Sequence, residues 1–127
     1  MLIVYIYIFL SKCERSANSK TILLLQMYIK QMKSEYQLEI INRIRQLREE
    51  RNYSQWKIAT LLGISSGQMG SIESRRAPHK YTLAQIYSIC VEFDYPIEHL
   101  FLEESDYTEN RNIIATLISK IVMYEKR

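Results

Sequence analysis

The sequence predicts an all-α protein with one compact domain and tails. Three glycines and two prolines among 127 residues are too few for a turn-rich β fold. Apolar residues recur every three or four positions from Tyr36 onward, which is the period of an amphipathic helix. A serine or threonine stands before several of these segments, where it would cap a helix N-terminus. The length suits a single domain, and 47% hydrophobic with 24% charged residues is typical of globular proteins.

The first helix of the domain is predicted from Tyr36 onward. Ile40, Ile44 and Leu47 fall at i, i+4 and i+7, so they form one apolar stripe. Several arginines, including Arg48, lie between them.

The stretch Ser54 to Glu73 predicts two short helices joined by a tight turn. Ser54 and Ser65 are suited to cap the two helices. Gly63, which has no Cβ, can take the left-handed conformation that ends the first helix. Ala59 is small enough to let a second helix cross closely. The inward positions are Ile58, Ala59, Leu62, Met69 and Ile72.

Three further helices are predicted after a basic loop. Thr82 caps one that runs to about Phe93, and Pro96 opens a short one at its tolerated first position. Asp106 or Thr108 caps the last helix, whose apolar residues are expected on one face. That face must be covered, either by folding back on the domain or by pairing with a second copy. Its members are Ile113, Ile114, Leu117, Ile118, Ile121 and Val122.

The spacing in the central stretch resembles the helix-turn-helix of the Cro and phage-repressor family, also called the xenobiotic-response-element family of bacterial regulators. Gln55 matches the first position of that motif, Ala59 the small fifth position and Gly63 the turn at the ninth. Met69 and Ile72 match later core positions. The resemblance extends over roughly residues 39–102.

This resemblance implies a five-helix lambda-repressor-like DNA-binding domain with an extra C-terminal helix. We place the domain at residues 36–102. Residues 1–35 form an N-terminal tail, and residues 103–127 carry the C-terminal helix, a candidate for dimerisation.

The resemblance also implies double-stranded DNA as the partner, with the helix Ser65 to Ser74 in the major groove. Positions matching the base-contacting residues of the family are Ser65, Ser66, Gly67, Gly70 and Ser71, with Gln68 as an extra candidate. Candidate phosphate contacts are Gln55, Lys57, Arg75, Arg76 and Lys80, and the family's structural ion pair matches Arg48 and Glu73. Bidentate base readout favours Arg, Lys, Asn or Gln, so serines and glycines leave much of the specificity to DNA shape.

Positive charge is concentrated around the motif. Residues 43–80 hold eight Lys/Arg against three Glu, whereas residues 81–127 hold four Lys/Arg against eight acids. Such an asymmetry is typical of a surface that meets phosphates, although an ordinary solvated surface is the alternative.

The favoured function is therefore a sequence-selective DNA-binding transcriptional regulator, expected to be a homodimer because such proteins commonly read two half-sites. The alternatives are a protein-interaction module with the same fold, and the DNA-binding antitoxin of a pair with a toxin partner. We expect no enzyme, cofactor or metal, since no catalytic or ligand spacing stands out. Two cysteines without a Cys-x-x-Cys spacing fit a reducing compartment, so a cytoplasmic location is expected.

The first ten residues, MLIVYIYIFL, are wholly apolar or aromatic. They are too few to span a bilayer, which takes about 20 residues, and they lack the flanks of a secretory signal. We expect no firm membrane association. One hypothesis is that translation begins at Met27 or Met32; the rival is a membrane-surface anchor or a strand-like arm.

Overall fold

The computed structural model describes residues 19–109 and 112–126, and every regular element within them is an α-helix. The prediction of an all-α protein is therefore confirmed. The chain divides into two compact units, residues 1–32 and 33–127. The first unit contains helix α1, Ser19–Gln31, within the predicted N-terminal tail. Among the described residues, none of the helices is both long and apolar enough to cross a membrane.

The second unit contains seven helices within its described residues. Five of them precede residue 103 and two follow it. They are α2 (Glu35–Glu50), α3 (Gln55–Leu62), α4 (Ser66–Glu73), α5 (Leu83–Glu92), α6 (Glu98–Phe101), α7 (Glu104–Glu109) and α8 (Ile113–Glu125).

Local side-chain caps determine where most of these helices begin. Ser54 accepts a hydrogen bond from the backbone of Lys57, and Gly63 ends α3 in the left-handed conformation with φ 65°. Three other helices begin with a reciprocal capping box, in which a glutamine three residues on bonds back to the cap backbone. The caps of these boxes are Ser34, Ser65 and Thr82.

The helix starts after residue 95 differ from those predicted. Pro96 lies two residues before α6 instead of opening it. Neither Asp106 nor Thr108 caps α8, because both lie within α7 and the Asn112 side chain caps α8 instead. The Asp106 carboxylate forms an ion pair with Lys120 at 2.6 Å. The polar run before residue 113 holds several residues able to cap a helix, and the sequence pattern did not show which of them begins the long helix.

The hydrophobic core lies between α2 and the helices packed around it. Every helix from α2 to α6 contributes a side chain that is nearly inaccessible, and α8 adds one more. Core residues with 0–1% exposure are Ile40, Ile44, Ile58, Met69, Tyr81, Ile86, Ile89, Leu100, Phe101 and Tyr124.

Helix α8 has two apolar sides, where the sequence predicted one. Leu117 and Ile121 pack against the core. Ile114, Ile118 and Val122 lie four residues apart, on another side, and are 67%, 55% and 50% exposed. We call these three residues the outer face of α8. The helix folds back on the domain and still leaves an apolar surface uncovered.

The last turn of α8 is anchored by polar bonds as well as by packing. The buried Tyr124 hydroxyl donates to the carbonyl of Tyr81 at 2.8 Å, and burial raises the pKa of Tyr124. The Tyr124 carbonyl accepts from Gln37 Nε2 at 2.7 Å and from Lys80 Nζ at 2.8 Å. Deleting residues 103–127 would therefore remove part of the core along with the outer face.

Candidate nucleic-acid interface

The carboxylate of Glu73, the last residue of α4, is held by Arg48 of α2. Arg48 donates from Nε to Oε1 at 2.9 Å and from Nη2 to Oε2 at 3.1 Å. The two side chains are only 8% and 3% exposed. Arg48 Nη1 also donates to the carbonyl of Tyr53 at 2.6 Å. Such a bidentate pair fixes both distance and orientation, so α4 is tied to α2 in one geometry.

Gln55, the first residue of α3, joins the same carboxylate. Its Nε2 donates to Glu73 Oε2 at 2.7 Å. The side chains of three helices therefore meet at one carboxyl group. A glutamine amide carries two N–H hydrogens, so one bond to Glu73 leaves Gln55 a second donor for a phosphate at the exposed end of α3.

Lys33 bonds to two backbone carbonyls in the last turn of α4. Its Nζ donates to the carbonyl of Ile72 at 2.6 Å and to that of Ser71 at 3.2 Å. A cation is favourable there, because the carbonyls at a helix C-terminus carry partial negative charge. Burial lowers the pKa of Lys33 to about 8. Sequence reasoning missed this residue because its partners lie far along the chain and are backbone atoms.

The solvent side of α4 carries small polar residues. Ser65, Ser66, Gly67 and Gln68 are exposed, and Gly70 and Ser71 are half-buried. We call these six residues the open face of α4.

Two residues of the open face also cap the helix. Ser65 Oγ accepts from the Gln68 backbone at 3.1 Å, and Gln68 Oε1 accepts from the Ser65 backbone at 3.3 Å. Bidentate adenine readout by glutamine uses both Oε1 and Nε2. Gln68 would have to leave the cap to read a base in that way.

The glycines of the open face are not required by contacts within the protein. A Cβ at Gly70 would meet no atom within 4 Å, and a Cβ at Gly67 would meet only Ser65 Oγ at 3.9 Å. Each glycine in a helix costs about 0.5 to 1 kcal/mol relative to alanine. These two residues leave the backbone of α4 bare, which suits the close approach of another molecule.

The candidate phosphate-binding cations divide into two groups. Arg75 and Arg76 are exposed directly after α4, and the only ion pair of Arg75 among the described residues, with Glu35, is long at 3.8 Å and exposed. Lys57 is also exposed, with Nζ 3.7 Å from the centroid of the Tyr53 ring. Lys80 differs from these three, because its ammonium donates to the Tyr124 carbonyl at the end of α8.

No family model matches the chain, and neither the curated proteins nor the solved structures contain a significant match. Within the described residues, no three His, Cys, Asp or Glu side chains are grouped so that they could hold a metal ion.

The burial of the Arg48 and Glu73 pair predicts a large effect of breaking it. Arg48→Ala is expected to lower the free energy of unfolding by about 3 to 5 kcal/mol, because the Glu73 carboxylate would be left buried without a counter-charge. Urea denaturation measures this loss. Arg45→Ala is the matched control, since Arg45 pairs with Glu49 at 3.0 Å with both side chains about half exposed, and loss of this solvent-screened pair should change the stability much less. An equal loss of stability in Arg48→Ala and Arg45→Ala would contradict a structural role for the Arg48 and Glu73 pair.

Proposed function

We propose that this chain is a DNA-binding transcriptional regulator of the Cro and phage-repressor type. In this proposal, residues 36–102 form a five-helix lambda-repressor-like domain, and α4 is the recognition helix that enters the major groove. The observation that carries the proposal is the combination of an open face on α4 with a rigid attachment of its opposite side. A helix that reads a groove needs both features, because its backbone must approach the DNA while its orientation stays fixed.

The residues around α4 supply donors where DNA phosphates would run. Gln55 lies at the start of α3 and keeps one amide hydrogen beyond its bond to Glu73. Lys57, Arg75 and Arg76 add exposed positive charge on the same helix-turn-helix and its loop. Phosphate contacts of this kind release counterions and supply affinity without regard to sequence.

Specificity would come mainly from close fit and DNA shape. Ser66, Gly67 and Gly70 cannot make bidentate contacts to a base pair. Their small size lets the helix backbone approach the groove floor, and sequence-dependent groove width then distinguishes one site from another.

A second copy of the chain is the proposed occupant of the outer face of α8. Ile114, Ile118 and Val122 form a continuous apolar side on a helix that is anchored to the DNA-binding domain. A two-fold pairing of such helices would present two recognition helices to successive half-sites.

The phosphate role predicts a change in salt dependence. Arg75→Ala combined with Arg76→Ala should weaken binding to all DNA sequences alike and lower the slope of log affinity against log salt by about 2. Fluorescence anisotropy with selected genomic fragments measures both quantities. Arg51→Ala is the control, because it removes a positive charge at a residue outside the candidate phosphate contacts, whose guanidinium lies 5.8 Å from the centroid of the Phe93 ring. Absence of binding by the wild type at low salt would favour the protein-interaction module.

The open face predicts opposite effects of one substitution on stability and on binding. Gly70→Ala meets no atom of the protein, so it should raise the free energy of unfolding by about 0.5 to 1 kcal/mol. The added methyl group should nevertheless weaken DNA binding, because it lies where the backbone approaches the groove. Urea denaturation and anisotropy on the same preparation test this. If Gly70→Ala is more stable but binds DNA with unchanged affinity, α4 is not part of the DNA interface.

The dimer is best tested by a surface substitution, since deletion of α8 also disrupts the core. Ile118→Glu places a charge in the centre of the outer face and should convert a dimer into a monomer with little loss of stability. Light scattering gives the mass. Val91→Glu on α5, where Val91 is 62% exposed, should leave the dimer intact. A wild type that is monomeric at high concentration would exclude this interface.

A further inference from the structure

Helix α1 presents an apolar face to solvent. Leu23, Leu24, Met27 and Tyr28 are 60%, 66%, 53% and 59% exposed. Their spacing of i, i+1, i+4 and i+5 places them on one side of the helix. Single exposed apolar residues are ordinary, but four on one side of a short helix form a patch of the kind that meets a partner or a membrane.

The charge of the first unit indicates what kind of partner fits this patch. Residues 1–32 contain four basic residues and a single acid, Glu14, and α1 itself contains Lys20 and Lys30 but no acid. Apolar side chains combined with lysines complement the surface of an anionic bilayer, where the acyl chains take up the former and the headgroups attract the latter. The wholly apolar segment 1–10 precedes this helix in the sequence.

The length of α1 decides between spanning the bilayer and lying on it. Thirteen residues at about 1.5 Å each give a helix of about 20 Å, and the hydrocarbon core is about 30 Å thick. Helix α1 is therefore too short to span and long enough to lie in the interface.

We propose, against the sequence expectation of no firm membrane association, that helix α1 is a membrane-surface anchor. Helix α1 lies in the headgroup plane of an anionic phospholipid bilayer, with Leu23, Leu24, Met27 and Tyr28 directed towards the acyl chains and Lys20 among the headgroups. The anchor would hold the second unit at the membrane. This function is separate from DNA binding and does not depend on it.

The test is co-sedimentation of the full chain with vesicles of phosphatidylcholine alone and of an equimolar mixture with phosphatidylglycerol. The wild type should bind the anionic vesicles much more tightly than the neutral ones. Leu24→Glu should weaken that binding about tenfold or more, since a leucine inserted among the acyl chains is replaced by a negative charge that the anionic headgroups repel. Val91→Glu makes the same change of charge at an equally exposed apolar site of the second unit and should have no effect.

A second variant keeps the proposal testable if Leu24→Glu disrupts α1. Lys20→Gln removes one headgroup contact and should lower the affinity for anionic vesicles about fivefold, with no effect on neutral ones. DNA affinity should be unchanged in both α1 variants, so failure of the anchor and failure of the DNA proposal give different results.

Three results would overturn the anchor. The first is wild-type binding no tighter than that of Leu24→Glu. The second is a wild type that does not bind vesicles but forms an oligomer in lipid-free solution, which Leu24→Glu dissociates. That result would make the apolar face of α1 a contact between two copies of the chain. The third is an intact mass, measured on protein from its native host, that begins at Met27 or Met32.

Discussion

The arrangement of α2, α3 and α4 depends on a single buried carboxylate. Glu73 receives two bonds from Arg48 and one from Gln55, so the end of α4 and the start of α3 are fixed to α2 at one point. A buried ion pair contributes little net stability, because desolvation offsets the attraction. Its value here is orientation, since the bidentate contact allows one arrangement of α4 against its neighbours. The apolar side of α4, with Met69 and Ile72 in the core, supplies the packing energy.

Helix α8 extends this constraint to the C-terminal segment. Tyr124 lies in the core and bonds to the backbone of Tyr81, whose hydroxyl in turn donates to Met69 Sδ at 3.6 Å. Helix α8, which carries the proposed dimer surface, is thus linked through Tyr124 and Tyr81 to Met69 on the buried side of α4. Polar bonds to backbone carbonyls, from Gln37 and Lys80, close the end of this helix.

Most of the fold was predictable because its signals are local. Apolar spacing identified most of the inward residues of α2 to α4, and the capping residues Ser54, Ser65 and Thr82 placed three helix starts within one residue. The predictions failed where distant parts of the chain meet. Periodicity could not show that α8 would pack Leu117 and Ile121 against the core while exposing Ile114 and Ile118, because both sides are equally apolar.

The same distinction applies to the candidate site. The exposure of the α4 residues followed from helical spacing, but the bonds of Lys33 and Lys80 to carbonyls 38 or more residues away leave no trace in sequence spacing. Ser65 and Gln68 keep the helix capped, whereas the positions of Ser66, Gly67 and Gly70 have open space and no partner that their side chains must satisfy among the described residues. The residues that cap α4 and attach it to the domain are therefore different from Ser66, Gly67 and Gly70 on its solvent side. A side chain added at Gly67 or Gly70 would therefore begin in open space, so the surface of α4 could be altered there while the bonds that hold α4 to α2 stay in place.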